Sequence, residues 1–182
     1  MPQKRWAVLV RGINLGGHNK VPMAALREAL SADGFAEVMT LLQSGNVVLT
    51  SDATKSDAVA SRVRAIIADE FGVDTSAVAV DLKTLSAVVD ECPMLDFATE
   101  PSRLLATILS APPTKAMLTA WDPGEIDPPN VAVGGQAIYQ WCPDGVHKAP
   151  QLLPLVEKRW KLEGTARNWN TVTKLVTMLQ AT

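Results

Sequence analysis

The residues whose types and spacing are best suited to chemistry lie in a glycine-rich segment near the start of the chain, residues 11–20. The segment follows an apolar, β-prone stretch and precedes a helical pattern that Pro22 can open. Backbone N–H groups at Gly16 and Gly17, with the dipole of that helix, favour an anion. The alternative is a tight connection that needs positive φ at the glycines. The side chains that would bind the anion are Arg11, Asn14 and Lys20.

This loop matches neither of the two standard phosphate motifs. The pattern G-x-G-x-x-G fails because Asn14 occupies the second glycine position. Gly12 and Gly17 have the spacing of a P-loop, but His18-Asn19 replaces its Lys-Ser/Thr pair. The sequence therefore offers no evident Mg²⁺ ligand here and leaves the cofactor unknown.

A second polar segment, Gln43-Ser44-Gly45-Asn46, has the composition of a hairpin turn, and Gln43, Ser44 and Asn46 are candidate ligand-binding residues. Ser44 could act as a nucleophile only beside a base. His18 is the histidine placed to serve, and no acid partner is identifiable. The alternative is a turn whose own Asn and Ser side chains satisfy it.

The third candidate segment is Arg167-Asn168-Trp169, close to the C-terminus. Arginine beside an exposed aromatic ring is a common pairing for ligand or nucleic-acid contact. Alternatively, Trp169 docks the last helix onto a sheet, while Asn168 or Asn170 caps that helix. Both interpretations of this segment stay open at this stage.

Composition excludes several classes of protein. Of 182 residues, 47% are apolar and 20% charged, which argues against disorder, and the net charge of −2 predicts no nucleic-acid or membrane partner from bulk electrostatics. Cys92 and Cys142 form no C-x-x-C pair, so zinc is not expected, and two histidines cannot build a histidine-rich metal site. The chain has no signal-peptide pattern, and we expect a cytoplasmic protein.

Periodicity predicts an α+β fold in two halves. The first half has the order β-α-β-β-α-β, with Thr54 as the expected cap of its second helix. This is the ferredoxin-like order, an antiparallel sheet with both helices on one face. From Arg103 the order is β-α-β-β-α-(β)-α, a looser copy. The expected divisions are a ferredoxin-like subdomain over 1–82, a helix and linker over 83–102, and an α+β subdomain with an extra C-terminal helix over 103–182.

The predicted topology brings two of the polar segments together. In a β-α-β-β-α-β sheet the first and third strands are antiparallel neighbours. The start of the third strand, at Asn46, is therefore expected near the end of the first, at Arg11.

Three stretches carry a family resemblance. They are VLVRGINLGGHNKVPM at 8–23, QSGNVV at 43–48 and TARNWNTV at 165–172. In this order and spacing the chain resembles the bacterial family called domain of unknown function 1697, from about Trp6 to Leu179. The resemblance implies two ferredoxin-like α+β subdomains. The family has no established activity, so it supplies no catalytic residues. Members often have lysine where this chain has His18, which leaves any role of that lysine to Lys20.

Three functional hypotheses follow. The first is a binding protein for an anionic ligand, such as a nucleotide, a phosphate-bearing metabolite or nucleic acid. The second is an enzyme acting on a phosphorylated or carboxylated small molecule in a cleft between the subdomains, which lacks an evident general base. The third is a structural homodimer built on sheet edges. Whether the protein is an enzyme is left open by the sequence.

Overall fold

A computed structural model describes residues 3–181 of the chain. The chain divides into two compact units. One comprises Met1–Leu82 with Thr177–Thr182, and the other comprises Lys83–Val176. The segment 83–102, expected as a helix and linker, therefore lies within the second unit.

The first unit carries a four-stranded antiparallel sheet with the order β2-β3-β1-β4. This is the order that the ferredoxin-like pattern requires, with β1 and β3 as neighbours. Its elements are β1 (Lys4–Arg11), α1 (Met23–Ala32), β2 (Ala36–Leu41), β3 (Asn46–Ser51), α2 (Ser56–Phe71) and β4 (Ser76–Val80).

The second unit repeats this topology. Its sheet has the order β6-β7-β5-β8 and is also antiparallel throughout. The short strand expected near residues 165–167 is β8, so the ferredoxin-like order is complete here too. The elements are α3 (Leu82–Asp90), β5 (Leu104–Leu109), α4 (Lys115–Ala120), β6 (Val131–Val133), β7 (Ala137–Trp141), α5 (Leu153–Trp160), β8 (Gly164–Asn168) and α6 (Trp169–Gln180).

The ends of the helices follow local chemistry, with one exception to the sequence prediction. Gly72 ends α2 in the left-handed conformation, with φ of 65°. Thr54 was expected to cap the start of α2, but the N-cap residue is Lys55, which makes no side-chain capping bond. The helix begins two residues later than Thr54, so the Thr54 side chain is not at the capping position.

The core of the first unit fixes the direction of β1, whose end carries the candidate loop. Alternate residues of β1 pack with α1 and α2 in one apolar cluster, which places both helices on the same face of the sheet. From Trp6 to Val10, the side chains on both faces of β1 are buried. The strand therefore has no freedom to slip, and Arg11 leaves it at a defined position.

A buried tyrosine in the second unit gives the fold a testable pH dependence. Tyr139 is fully buried, and its hydroxyl donates a 2.6 Å hydrogen bond to the carbonyl oxygen of Val88. Burial raises the pKa of Tyr139 above its ordinary value, and the negative charges of the Cys92 thiolate and the Glu91 carboxylate raise it further. The folded chain therefore resists a deprotonation that the unfolded chain undergoes freely.

We expect the free energy of unfolding to fall as the pH rises above about 10, where a free tyrosine ionises. The sign follows because the folded pKa is the higher one, so the unfolded state releases its proton first. Tyr139 is the single tyrosine of the chain, so phenolate absorbance reports its ionisation directly. Tyr139→Phe should cost about 1–2 kcal/mol at neutral pH and reduce the alkaline slope. An unchanged slope would contradict this assignment.

Candidate functional site

The end of β1 and the turn between β2 and β3 lie at the same end of the first sheet. Leu9 of β1 pairs with Asn46 of β3, and the backbone N–H of Val10 donates to the carbonyl oxygen of Gly45 at 2.8 Å. Two segments that lie about thirty positions apart in the sequence are therefore neighbours, as the topology predicted.

Asn14 joins the two segments. Its amide nitrogen donates to the carbonyl oxygens of Gln43 (2.8 Å) and Val21 (2.9 Å). Its amide oxygen accepts from the backbone N–H of Val21 at 2.8 Å. Asn14 adopts a positive φ of 56°, which asparagine tolerates better than most residues. The predicted ligand residue Asn14 thus holds the base of the loop closed and fixes the loop to the hairpin.

Gly16 and Gly17 form the tip of the loop rather than the start of a helix. Leu15 and His18 form an isolated bridge, with the His18 N–H donating to the Leu15 carbonyl at 2.9 Å. Gly16 and Gly17 have φ of 53° and 84°, the positive values that a type I′ turn requires at both central positions. α1 begins at Met23, so Gly16 and Gly17 lie several residues before the helix. The helix dipole is therefore not available at the glycines.

Arg11 points toward β4, away from the hairpin. Its Nε donates to Ser76 Oγ at 3.0 Å, and the Thr75 hydroxyl donates to the Arg11 carbonyl oxygen. A shallow depression of about 380 Å³ opens there. Two of the residues around it, Arg11 and Arg64, carry guanidinium groups, and Asp74 carries the one carboxylate. Its lining consists of Arg11, Gly12, Asn19, Arg64, Asp74, Thr75 and Ser76.

Arg64, Thr75 and Ser76 were not among the site residues predicted from the sequence. Arg64 lies within the amphipathic helix α2, where a charged residue ordinarily faces solvent. The available signal was the topology, since β4 is the second neighbour of β1 and Ser76 pairs with Arg11. The predicted topology makes β4 as well as β3 a neighbour of β1, and that neighbour carries the hydroxyl of Ser76, with Thr75 directly before it.

The hairpin residues divide by exposure. Gln43 and Ser44 are exposed, whereas Asn46 has no exposed surface. The Asn46 amide donates to the Leu41 carbonyl oxygen at 2.9 Å and to Ser44 Oγ at 3.1 Å. The buried Asn46 side chain therefore hydrogen-bonds groups of its own hairpin, and its prediction as a ligand-contacting residue is corrected.

The segment Arg167–Trp169 belongs to the second unit. Trp169 is 8% exposed and lies edge-to-face against Tyr139, with ring centroids 6.4 Å apart. Asn168 caps α6, because its side-chain oxygen accepts from the N–H and the hydroxyl of Thr171, both at 3.0 Å. Of the two interpretations that the sequence left open, the structure matches the one in which Trp169 packs the last helix, and the prediction of Trp169 as a ligand-contacting residue is corrected.

Arg167 itself lies on β8, where its Nη1 donates to the carbonyl oxygen of Ala166 at 2.9 Å. Burial lowers the pKa of this guanidinium to about 10. Arg167 is still charged at neutral pH. Its contribution to a ligand site stays a prediction.

Metal-ligating groups do not gather in the described part of the chain. Within residues 3–181 no group of three or more His, Cys, Asp or Glu side chains is arranged to hold a metal ion. Cys92 and Cys142 are both free and buried. Burial raises the pKa of each thiol, so neither has the character of a reactive thiolate.

Comparison with known proteins gives a family and a fold. The family model described as a protein of unknown function (DUF1697) matches residues 3–139, three quarters of the chain. The chain belongs to this family. As a DUF1697 protein it shares its fold with the conserved bacterial protein SP0830 from Streptococcus pneumoniae, at a TM-score of 0.72 and 23% identity. That alignment covers 98% of this chain and 100% of the other. No curated protein matches.

Proposed function

We propose that this DUF1697 protein binds a small anionic ligand through the depression beside Arg11. The observation that supports the proposal is the joint lining of one depression by the guanidinium groups of Arg11 and Arg64 and the hydroxyls of Thr75 and Ser76. Guanidinium groups bind carboxylate and phosphate through paired hydrogen bonds. The Ser76 hydroxyl accepts from Arg11 Nε and can donate its proton to a remaining ligand oxygen, whereas the Thr75 hydroxyl already donates to the Arg11 carbonyl oxygen.

The charge balance favours an anion. Asp74 is the one carboxylate in the lining, against two arginines, and it is exposed. The exposed Lys20 and His18 lie on the same loop as Arg11. A ligand with one terminal phosphate or carboxylate can therefore be bound at its charged end.

The lining also narrows the class of ligand. Single-stranded nucleic acids usually stack their bases on aromatic side chains. No aromatic residue lines this depression, and its volume of about 380 Å³ is at the lower end for small-molecule sites. These features favour a small phosphate-bearing metabolite over a nucleic acid.

The proposal is for binding rather than catalysis. A general base needs a histidine or a carboxylate near the reacting group. The lining contains no histidine, and its single carboxylate is exposed to solvent. We therefore assign no reaction and no cofactor to this depression.

We also propose a cytoplasmic location. Cys92 and Cys142 are free thiols, as expected in a reducing compartment. Within residues 3–181, none of the helices combines the length and apolar character needed to span a bilayer.

Arg11→Ala tests the binding site. We expect inorganic phosphate, pyrophosphate and nucleoside monophosphates to bind the wild-type protein in calorimetric titrations. The substitution should weaken that binding about tenfold or more, because it removes a charge-assisted contact. The matched control is Arg27→Ala, which removes an exposed arginine of α1 that hydrogen-bonds Thr40 at 2.7 Å. Equal binding by the two variants would reject the Arg11 depression.

A further inference from the structure

Two large apolar side chains project into solvent at the end of the first sheet. Leu15 is 64% exposed and Leu42 is 60% exposed, more than any other large hydrophobic residue of the described chain. Leu15 follows Asn14, and Leu42 precedes Gln43, so each leucine is adjacent to one end of the 2.8 Å Asn14–Gln43 hydrogen bond. We call this pair the leucine tip. Single exposed leucines are ordinary, whereas two on neighbouring hydrogen-bonded segments offer apolar surface to a partner at one end of the sheet.

The backbone of the hairpin makes Leu42 more unusual. Its φ is +60°, in the left-handed region that a bulky side chain adopts rarely. The turn that Leu42 precedes has glycine at its own positive-φ position, Gly45. Leucine at position 42 is therefore explained neither by burial nor by backbone preference.

The two segments that carry the tip hold basic residues and no acidic ones. Lys20 is exposed on the same loop as Leu15, and no aspartate or glutamate occurs in residues 11–27 or 38–51. The tip thus combines apolar side chains with cationic character, and its natural partner is an apolar recess with an acidic rim.

This chain carries such a recess between α1 and α2. The groove has a volume of about 580 Å³. Its apolar lining comprises Ala25, Ala29, Ala32, Ile66 and Phe71. Its charged lining comprises Glu28, Asp33, Asp69 and Glu70, and no lysine or arginine lines it. Arg62 pairs with Asp33, which leaves the other three carboxylates to set the charge of the rim.

We propose that the leucine tip of one copy of this chain docks into the α1–α2 groove of a second copy. The apolar side chains meet the alanine floor, and Lys20 meets the acidic rim. The tip and the groove are different surfaces. The contact therefore gives either an open head-to-tail polymer or a dimer in which two copies exchange tips about a two-fold axis. A contact made by two leucines and one lysine buries little surface, so we expect the association to be weak, concentration-dependent and sensitive to salt.

Sedimentation velocity over a range of protein concentrations tests the proposal. We expect the wild-type protein to self-associate in low salt and to dissociate as salt is raised. Leu42→Asn should weaken self-association about tenfold or more, since it removes an apolar side chain that the contact buries. The melting temperature should stay the same or rise, because asparagine tolerates positive φ. A leucine with a purely structural role would instead lower it.

Leu95→Asn is the matched control, since Leu95 is 51% exposed but lies in the second unit. This variant should associate as the wild type does. A wild-type protein that stays monomeric in low salt, or an equal effect of Leu42→Asn and Leu95→Asn, would overturn the proposal.

A mixing experiment identifies the occupant of the groove. One variant lacks the tip (Leu15→Ser with Leu42→Asn), and the other lacks the acidic rim (Asp69→Lys with Glu70→Lys). Each variant alone should be monomeric. Mixed, the two should form a 1:1 complex, because one intact groove meets one intact tip. Absence of the mixed complex would show that the groove does not receive the tip of a second copy.

Discussion

We expect Gly45→Ala to lower the free energy of unfolding by about 2–5 kcal/mol, through strain and overpacking together. Gly45 has a φ of +92° and lies in the turn between β2 and β3. A Cβ atom at this position would lie 2.9 Å from Ile13 Cδ1 and 3.0 Å from both the Cβ and the carbonyl oxygen of Val10. The backbone contact cannot be relieved by a side-chain rotation.

The clash at Gly45 also acts on the position of the loop. The Gly45 carbonyl oxygen accepts the Val10 N–H, so a shift of the hairpin pulls directly on the end of β1. Any relaxation that makes room for the new methyl group therefore moves Arg11 relative to β4. The variant should lose phosphate binding along with stability.

Gly17→Ala separates strain from overpacking. Gly17 has a similar φ of +84°, but a Cβ added there meets no atom within 4 Å. We expect it to cost about 1 kcal/mol, the strain of the left-handed conformation alone. Urea denaturation of both variants measures the difference. Equal losses of stability in the two variants would mean that crowding of the added methyl group against Val10 and Ile13 costs nothing measurable.

Much of this fold follows from the sequence because local and long-range signals agree. The apolar stripe of α1 repeats at Met23, Leu26 and Leu30, and all three are buried. The Gly134-Gly135 pair is a hairpin signal, and the structure contains the β6–β7 hairpin at this place. The order of these elements then leaves the ferredoxin-like sheet as the simplest arrangement.

The site was less predictable because its chemistry depends on tertiary contacts. Adjacency of the loop and the hairpin follows from topology alone. Topology does not predict whether Trp169 is exposed, because an aromatic residue at the start of a helix can face either solvent or the core. In this structure Trp169 packs against Tyr139. The same limit applies to Arg64, which joins Arg11 only through the packing of α2 against the sheet.

Asn14→Ala should cost about 2–4 kcal/mol of stability and release the loop from the hairpin. The Val21 N–H is the critical group, because Val21 has no exposed surface and its N–H donates to the Asn14 amide oxygen at 2.8 Å. A buried donor left without an acceptor costs roughly 1–3 kcal/mol. The alanine must also adopt the positive φ that asparagine tolerates, which adds to the loss.

Asn14→Asp distinguishes the two functions of this side chain. The carboxylate still accepts from Val21 and still tolerates positive φ, but it cannot donate to the carbonyl oxygens of Val21 and Gln43. We expect a smaller loss of stability than in Asn14→Ala, with the Val21 amide still protected from hydrogen exchange in the aspartate variant and exchanging freely in the alanine variant. Both variants lose the Gln43 bond, so both should weaken self-association through the leucine tip. If the two variants are equally unstable, the Val21 amide is not what Asn14 protects, and the stability of the loop depends instead on the two donated bonds.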